Sequence, residues 1–257
     1  MTNPNTTVAI TGAAFTDTYQ ANLVNNGGLV NNCGGSATAG AGNPGTLTLS
    51  GGTIPAGGSC TISILVTSST AASYTNTLAI GSVTSTNAGA NAVAASSSLS
   101  IFSAPNITLL KLVSIYSDPF HLLVNPKYIP GAIAEYTIIA SNSGGPSDNN
   151  STVITDLIPP NTALYVNDIG GANSGPVLFT QGGTSSTLTY TYTPPLSNPA
   201  DDISFSNNSG TTWIAVPVAG ANGCDPAINA IRINPKGTFI GNTPSPSFQL
   251  KFRVCVQ

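Results

Sequence analysis

Short runs of alternating apolar and polar residues recur along the whole chain, separated by clusters of Gly, Pro, Asn and Ser. Between residues 60 and 67, for example, Ile62, Ile64 and Val66 occupy alternate positions, which places them on one face of a strand. No segment keeps the period of an amphipathic helix. The pattern therefore predicts an all-β fold built from short antiparallel strands.

The predicted strands fall into two groups along the chain. Those of the first half are Thr7–Ile10, Thr46–Leu49, Cys60–Thr67, Ser73–Leu78 and Ala92–Phe102. Those of the second half are Ile107–Tyr116, Ala132–Asn142, Ser151–Leu157, Pro176–Phe179, Thr187–Thr193, Ile203–Phe205, Thr212–Val218, Ala227–Ile233 and Phe248–Val256. So many short strands with frequent turns are typical of Ig-like antiparallel β-sandwiches.

A domain boundary is predicted at Ser103–Asn106, a short segment that contains a proline and precedes a change in charge. We therefore expect two tandem Ig-like sandwiches, at residues 1–103 and 104–257. Residues 1–110 contain one charged side chain, Asp17, and all other charged residues follow. The second sandwich is expected to be the larger and more elaborated one.

Composition narrows the classes of function. Charged residues make up only 6% of the 257 residues, against about 25% in ordinary soluble domains, whereas 40% are apolar. This apolar fraction predicts a folded protein, and the net charge of −3 with no basic stripe argues against a nucleic-acid partner. No apolar run approaches the length of about 18 residues that a membrane-spanning helix needs. No cofactor-binding motif is recognised.

The four cysteines, Cys33, Cys60, Cys224 and Cys255, predict one disulfide in each half. For the second half we expect Ala227–Ile233 and Phe248–Val254 to pair as antiparallel neighbours, a register that sets Cys224 near Cys255. The alternative is four buried free thiols. Disulfides indicate an oxidising compartment and hence an extracellular or cell-surface location.

The second half resembles a bacterial surface repeat known as domain of unknown function eleven. The matching features are Pro130-Gly131 before a strand, Tyr136-Thr137-Ile138 within it, and the segment Ile154–Thr162, which reads ITDLIPPNT. The downstream segment Gly223–Phe239 is similar to long members of the same group. The resemblance implies an Ig-like fold and a place in secreted or surface proteins, and it implies no activity.

The first half resembles a related Ig-like repeat of secreted bacterial proteins. The segments that carry this resemblance are Ile10–Tyr19, Cys33–Gly35 and Leu49–Asn76. Members of that group carry one or two further strands before the residues that correspond to Thr2–Asn5. The resemblance therefore implies that the first sandwich lacks its opening strand or strands, which would leave a sheet edge and part of the core open.

Candidate chemistry is sparse. Lys111 shares the apolar face of its predicted strand, so we expect it to extend its amine past the strand end or to form an ion pair with Glu135. The alternative is a Lys–Asn isopeptide bond with Glu135 as proton relay. Asp201, Asp202 and Asp225 are candidates for a calcium site, with exposed loop charges as the alternative reading. The single histidine, His121, lacks catalytic partners and is expected to serve packing or hydrogen bonding. We expect no enzymatic activity.

These features predict a structural subunit of an extracellular bacterial filament or surface fibre, which polymerises with copies of itself through β-strand complementation. One alternative is a stalk fragment of a long, monomeric surface adhesin. A second is a carbohydrate-binding module, for which Trp213 is the only tryptophan that a sugar-binding platform can use. Contact of the fibre with a surface or a glycan is a further expectation.

Overall fold

The computed structural model describes residues 1–257 and consists of strands joined by turns, with no helix. All named strand pairs are antiparallel, and the predicted class of tandem Ig-like β-sandwiches is confirmed. The chain divides into two compact units, residues 1–103 (unit 1) and 104–257 (unit 2). No helix long and apolar enough to cross a bilayer is present.

Unit 1 is built from small sheets. Its strands are β1 (Ile10–Thr18), β2 (Val24–Asn25), β3 (Val30–Asn31), β4 (Ser36–Gly40), β5 (Thr46–Ile54), β6 (Ile62–Ser63), β7 (Val66–Thr67), β8 (Ala72–Leu78) and β9 (Ala95–Ile101). A three-stranded sheet has the order β1-β5-β4, and the pairs β2-β7, β3-β6 and β8-β9 complete the unit. The predicted strand Cys60–Thr67 is therefore broken into two short pieces, β6 and β7, each with its own partner.

The core of unit 1 lies beneath β1 and β5. Ala13, Leu49 and Ile54 are buried together with the disulfide Cys33–Cys60. A second cluster gathers Tyr19, Leu23, Leu47 and Tyr74. The core therefore depends on a few apolar side chains and a covalent link.

Unit 2 is a sandwich of two sheets. Its strands are β10 (Ile107–Ser117), β11 (Ile133–Asn142), β12 (Ile154–Leu157), β13 (Thr162–Tyr165), β14 (Val177–Gln181), β15 (Ile203–Ser206), β16 (Cys224–Asp225), β17 (Ala230–Ile233) and β18 (Ser247–Val256). The larger sheet has the order β10-β11-β18-β13-β16, with β14 also paired to β18. The smaller sheet has the order β12-β17-β15.

Alternation along β11 and β18 builds the core of unit 2. Ile138 and Ala140 on β11 are buried, as are Phe248, Leu250 and Phe252 on β18, whereas the residues between them remain partly exposed. Burying one such large apolar side chain stabilises a fold by about 1.5–3 kcal/mol. Strand β18 is therefore the centre of this sheet, with β11 on one side and β13 and β14 on the other.

Several predicted strands differ from those observed. Thr187–Thr193 and Thr212–Val218 form only isolated bridges, through Thr189 and Ala215. The first strand runs from Ile10 to Thr18, whereas the predicted one was Thr7–Ile10. The segment after Ile10 is rich in small and polar residues, which are common in turns, but Ala13 and Asp17 within it are buried. Strand β13 was not predicted at all.

Both predicted disulfides are present and no cysteine is free. The register proposed for Cys224 and Cys255 is wrong, however, because β17 pairs with β12 and β15 in the smaller sheet and not with β18. The unpredicted strand β13 joins the two cysteines: its Tyr165 lies opposite Cys224 and its Ala163 opposite Cys255.

We expect the double substitution Cys224→Ala and Cys255→Ala to lower the free energy of unfolding of unit 2 by about 2–4 kcal/mol, because the bridge closes a loop of 31 residues in the unfolded chain. Urea denaturation followed by the fluorescence of Trp213, which lies in unit 2, measures this loss. The matched variant Cys33→Ala and Cys60→Ala should leave that transition in place. An unchanged midpoint for the first variant would contradict the expectation.

Candidate interaction surface

Strand β10 forms one edge of the larger sheet of unit 2. It pairs with β11 from Ile107 opposite Asn142 to Ser117 opposite Ile133, and no strand lies on its other side. Eleven residues make it the longest strand of the protein. Its outer row of backbone N–H and C=O groups is therefore available to another strand.

The apolar side chains of β10 are exposed on both faces of the sheet. Those between 43% and 61% exposed are Ile107, Leu109, Leu110, Leu112 and Val113. Natural edge strands are ordinarily kept short or protected by charges, proline or bulges, and the only charged side chain in β10 is Lys111. An exposed, long and apolar edge of this kind is typical of surfaces that bind another chain.

The sequence prediction that one face of β10 is buried is wrong. On β11, Ile138 and Ala140 are buried. Their partners across the strand pair on β10, Lys111 and Leu109, lie on the same face of the sheet but are exposed. The sequence did contain a sign that β10 differs from a strand with one buried face. The run Leu109-Leu110-Lys111-Leu112-Val113 places apolar residues on both faces and does not alternate.

Lys111 bonds to Asp156 of β12 and not to Glu135. Its Nζ lies 2.7 Å from Oδ1 and 2.6 Å from Oδ2 of Asp156, and 4.6 Å from the centre of the Tyr136 ring. Register explains the difference: Lys111 lies opposite Ile138, whereas Glu135 lies opposite Ser114 and so projects from the other face. The predicted pair is therefore wrong, and Glu135, the only glutamate, is not placed to relay a proton for an isopeptide bond.

Glu135 is held on the opposite face by two cations of β18. Its carboxylate accepts hydrogen bonds from Lys251 Nζ at 3.0 Å and from Arg253 Nε at 2.9 Å. Burial by itself raises the pKa of Glu135, but the hydrogen bonds and charges of Lys251 and Arg253 outweigh it and lower the pKa below its ordinary value. Glu135 is therefore a cross-strand structural carboxylate.

Directly after β10, the buried carboxylate of Asp118 organises a loop. It accepts hydrogen bonds from the backbone N–H groups of Phe120 at 2.7 Å and of His121 and Lys127 at 2.6 Å, and it lies 2.9 Å from His121 Nδ1. Burial raises the pKa of Asp118, but these backbone hydrogen bonds dominate and hold the pKa well below its usual range. His121 therefore has the hydrogen-bonding role that the sequence indicated.

Residues 120–124, which we call the apolar loop, project large side chains into solvent. Phe120, Leu122, Leu123 and Val124 are 63–81% exposed. Leu122 has φ of 55°, a conformation that costs a leucine about 1–2 kcal/mol, and two backbone hydrogen bonds with Asp118 hold it there. The fold therefore maintains an apolar projection next to the β10 edge.

The predicted calcium site is wrong, because the structure brings no group of three His, Cys, Asp or Glu side chains together for a metal ion. Asp202 accepts from the Thr191 N–H and pairs with Lys236 at 3.4 Å. Asp201, beside it, accepts from the Thr193 N–H. Asp225 lies in the other sheet, on β16, where it accepts from the N–H groups of Val218 and Ala227.

Trp213 is half-buried, and the guanidinium of Arg232 lies 4.8 Å from its ring. One face of the indole is therefore occupied by a cation–π contact. That face of Trp213 is therefore not free to stack against a sugar ring.

A family match covers most of unit 1, and a structural alignment covers both units. Residues 1–101 match a family described as a domain of unknown function, DUF7933. The sequence matches none of the curated proteins. A crystal structure of a Corynebacterium diphtheriae protein, described as membrane anchored, aligns with 11% identity over 100% of this chain and 77% of its own, with a TM-score of 0.26.

We expect Asp118→Asn to loosen the apolar loop, because the amide side chain offers one acceptor oxygen where the carboxylate offers two. Hydrogen exchange at the amides of Phe120, His121 and Lys127 should become faster by about tenfold or more. Hydrogen-exchange mass spectrometry measures the change. Asp148→Asn, which removes an exposed carboxylate of the same unit, is the control, and equal exchange in both variants would contradict the assigned role.

Proposed function

We propose that this protein is a non-enzymatic structural subunit that polymerises head-to-tail outside the bacterial cell, with the β10 edge of one copy receiving a strand of the next. The observation that carries the proposal is the length and exposure of β10, which is unpaired along one whole side. A second strand there would satisfy backbone groups and cover apolar side chains on both faces of the sheet.

Addition of a strand to an exposed edge is a common mode of recognition, in which main-chain hydrogen bonds supply affinity and side-chain contacts supply specificity. Five large apolar side chains in β10 are at least 43% exposed. Each that becomes largely buried contributes on the order of 1 kcal/mol, which offsets part of the roughly 4–15 kcal/mol that association costs in lost translational and rotational freedom.

The scarcity of charge supports self-association outside the cell. A net charge of −3 spread over 257 residues produces little repulsion between copies. Two disulfides, with no free cysteine, are typical of proteins that mature in an oxidising compartment, and each closes a covalent loop within its own unit. Low net charge and two disulfides are properties expected of an extracellular structural subunit.

Symmetry distinguishes a filament from a dimer. If β10 pairs with β10 of a second copy, the contact is isologous and closes after two subunits. If it pairs with another edge, the contact is heterologous and repeats as an open helix unless its rotation closes a ring. Only the second arrangement gives the filament that we propose.

The double variant Leu110→Lys and Leu112→Lys tests the proposal, because lysines on an edge strand oppose strand addition. We expect the native protein to form regular filaments in negative-stain electron microscopy and the variant to elute as a monomer in size-exclusion chromatography. Ile214→Lys, at a residue 85% exposed elsewhere in unit 2, is the matched control and should still form filaments.

A native protein that stays monomeric over the whole accessible concentration range would contradict the proposal and favour a stalk segment. A discrete dimer would contradict head-to-tail growth. Filaments that persist in the double-lysine variant would remove β10 from the interface.

A further inference from the structure

Unit 1 contains a half-open groove of about 570 Å³, whose lining is mostly apolar with Thr2, Thr84, Ser85 and Asn91 as its polar members. Side chains that line it include Ile10, Ala13, Ile54, Leu78, Val83 and Val93. No Asp, Glu, Lys, Arg or His side chain lines it. The side chains of the groove therefore offer dispersion contacts and desolvation but carry no charge, which suits apolar side chains.

The size of the groove sets a lower limit on its occupant. A dry apolar cavity of about 150 Å³ holds a benzene molecule, so this groove accommodates more than one large side chain. Water that fills an apolar groove makes fewer hydrogen bonds than bulk water, and its displacement by apolar groups is favourable. The occupant is therefore expected to present several neighbouring apolar side chains.

The apolar loop of unit 2 has this chemistry. Phe120, Leu122, Leu123 and Val124 project from it, and its only ionisable side chain, His121, is turned to Asp118. Because Asp118 and the backbone hydrogen bonds of Leu122 already hold the loop in place, little conformational entropy is lost when it docks.

We propose that the apolar loop of one copy occupies the groove in unit 1 of the next copy. The inference rests on the proposed function and names its contact. An apolar projection on one unit and a complementary groove on the other join two different surfaces, and such a contact adds subunits one after another as long as its rotation does not close a ring. The loop directly follows β10, so the groove contact and the edge contact lie at the same end of unit 2.

Cysteine crosslinking between two different copies tests the contact. One preparation carries Phe120→Cys and the other Ala88→Cys, a substitution at an exposed residue on the wall of the groove. All native cysteines are in disulfides, so each copy has one free thiol. We expect the mixed filament to form the crosslinked heterodimer roughly tenfold faster or more than a mixture with Ala41→Cys, an exposed residue of unit 1 outside the groove.

A second variant fills the groove from its rim. Ala88→Trp should raise the protein concentration needed for assembly by roughly 10- to 100-fold, because it displaces one or two large apolar side chains. Ala41→Trp, equally bulky and outside the groove, should leave that concentration unchanged. Circular dichroism of both variants checks that the sheets are intact.

The outcomes separate this inference from the proposed function. Filaments that depend on Leu110 and Leu112 but show neither the crosslink nor an effect of Ala88→Trp would overturn the groove contact and leave the function standing. A native protein that does not self-associate would overturn both.

Discussion

The structure of unit 2 depends on the requirement that strand N–H and C=O groups be paired. Strand β18 meets it on both sides, with β11 along one edge and β13 and β14 along the other, and it carries buried side chains such as Phe248 and Phe252. Strand β10 meets it on one side only. The backbone groups along the outer side of β10 therefore have no strand partner within the larger sheet.

The scarcity of charged side chains leaves this open edge without the protection that opposes strand addition. Most proteins oppose strand addition with lysines or other charges at the edge, and this protein has six Lys and Arg residues in total. Those within unit 2 are largely engaged: Lys111 with Asp156, and Lys251 and Arg253 with Glu135. The unprotected edge, the apolar loop and the apolar groove of unit 1 consequently support a single model of assembly.

Local pattern was enough to predict the class of the fold and many strands. The apolar alternation in Ala132–Asn142 and Phe248–Val256 predicted β11 and β18 well, because both strands have one buried and one half-exposed face. The same reasoning failed at β10, where Lys111 was assigned to a buried face and to Glu135. It also failed at Thr187–Thr193 and Thr212–Val218, whose β propensity finds no continuous partner strand.

The sequence by itself determined the all-β class, the low charge and the supply of four cysteines, since these follow from composition and from the two-residue period of strands. Tertiary structure alone decided which strands became neighbours, and therefore that β13 joins Cys224 to Cys255 and that Asp156 meets Lys111. It alone left β10 exposed. Pairing and coverage are contacts between residues far apart in the chain, and the pattern within one segment holds no information about what lies beside it.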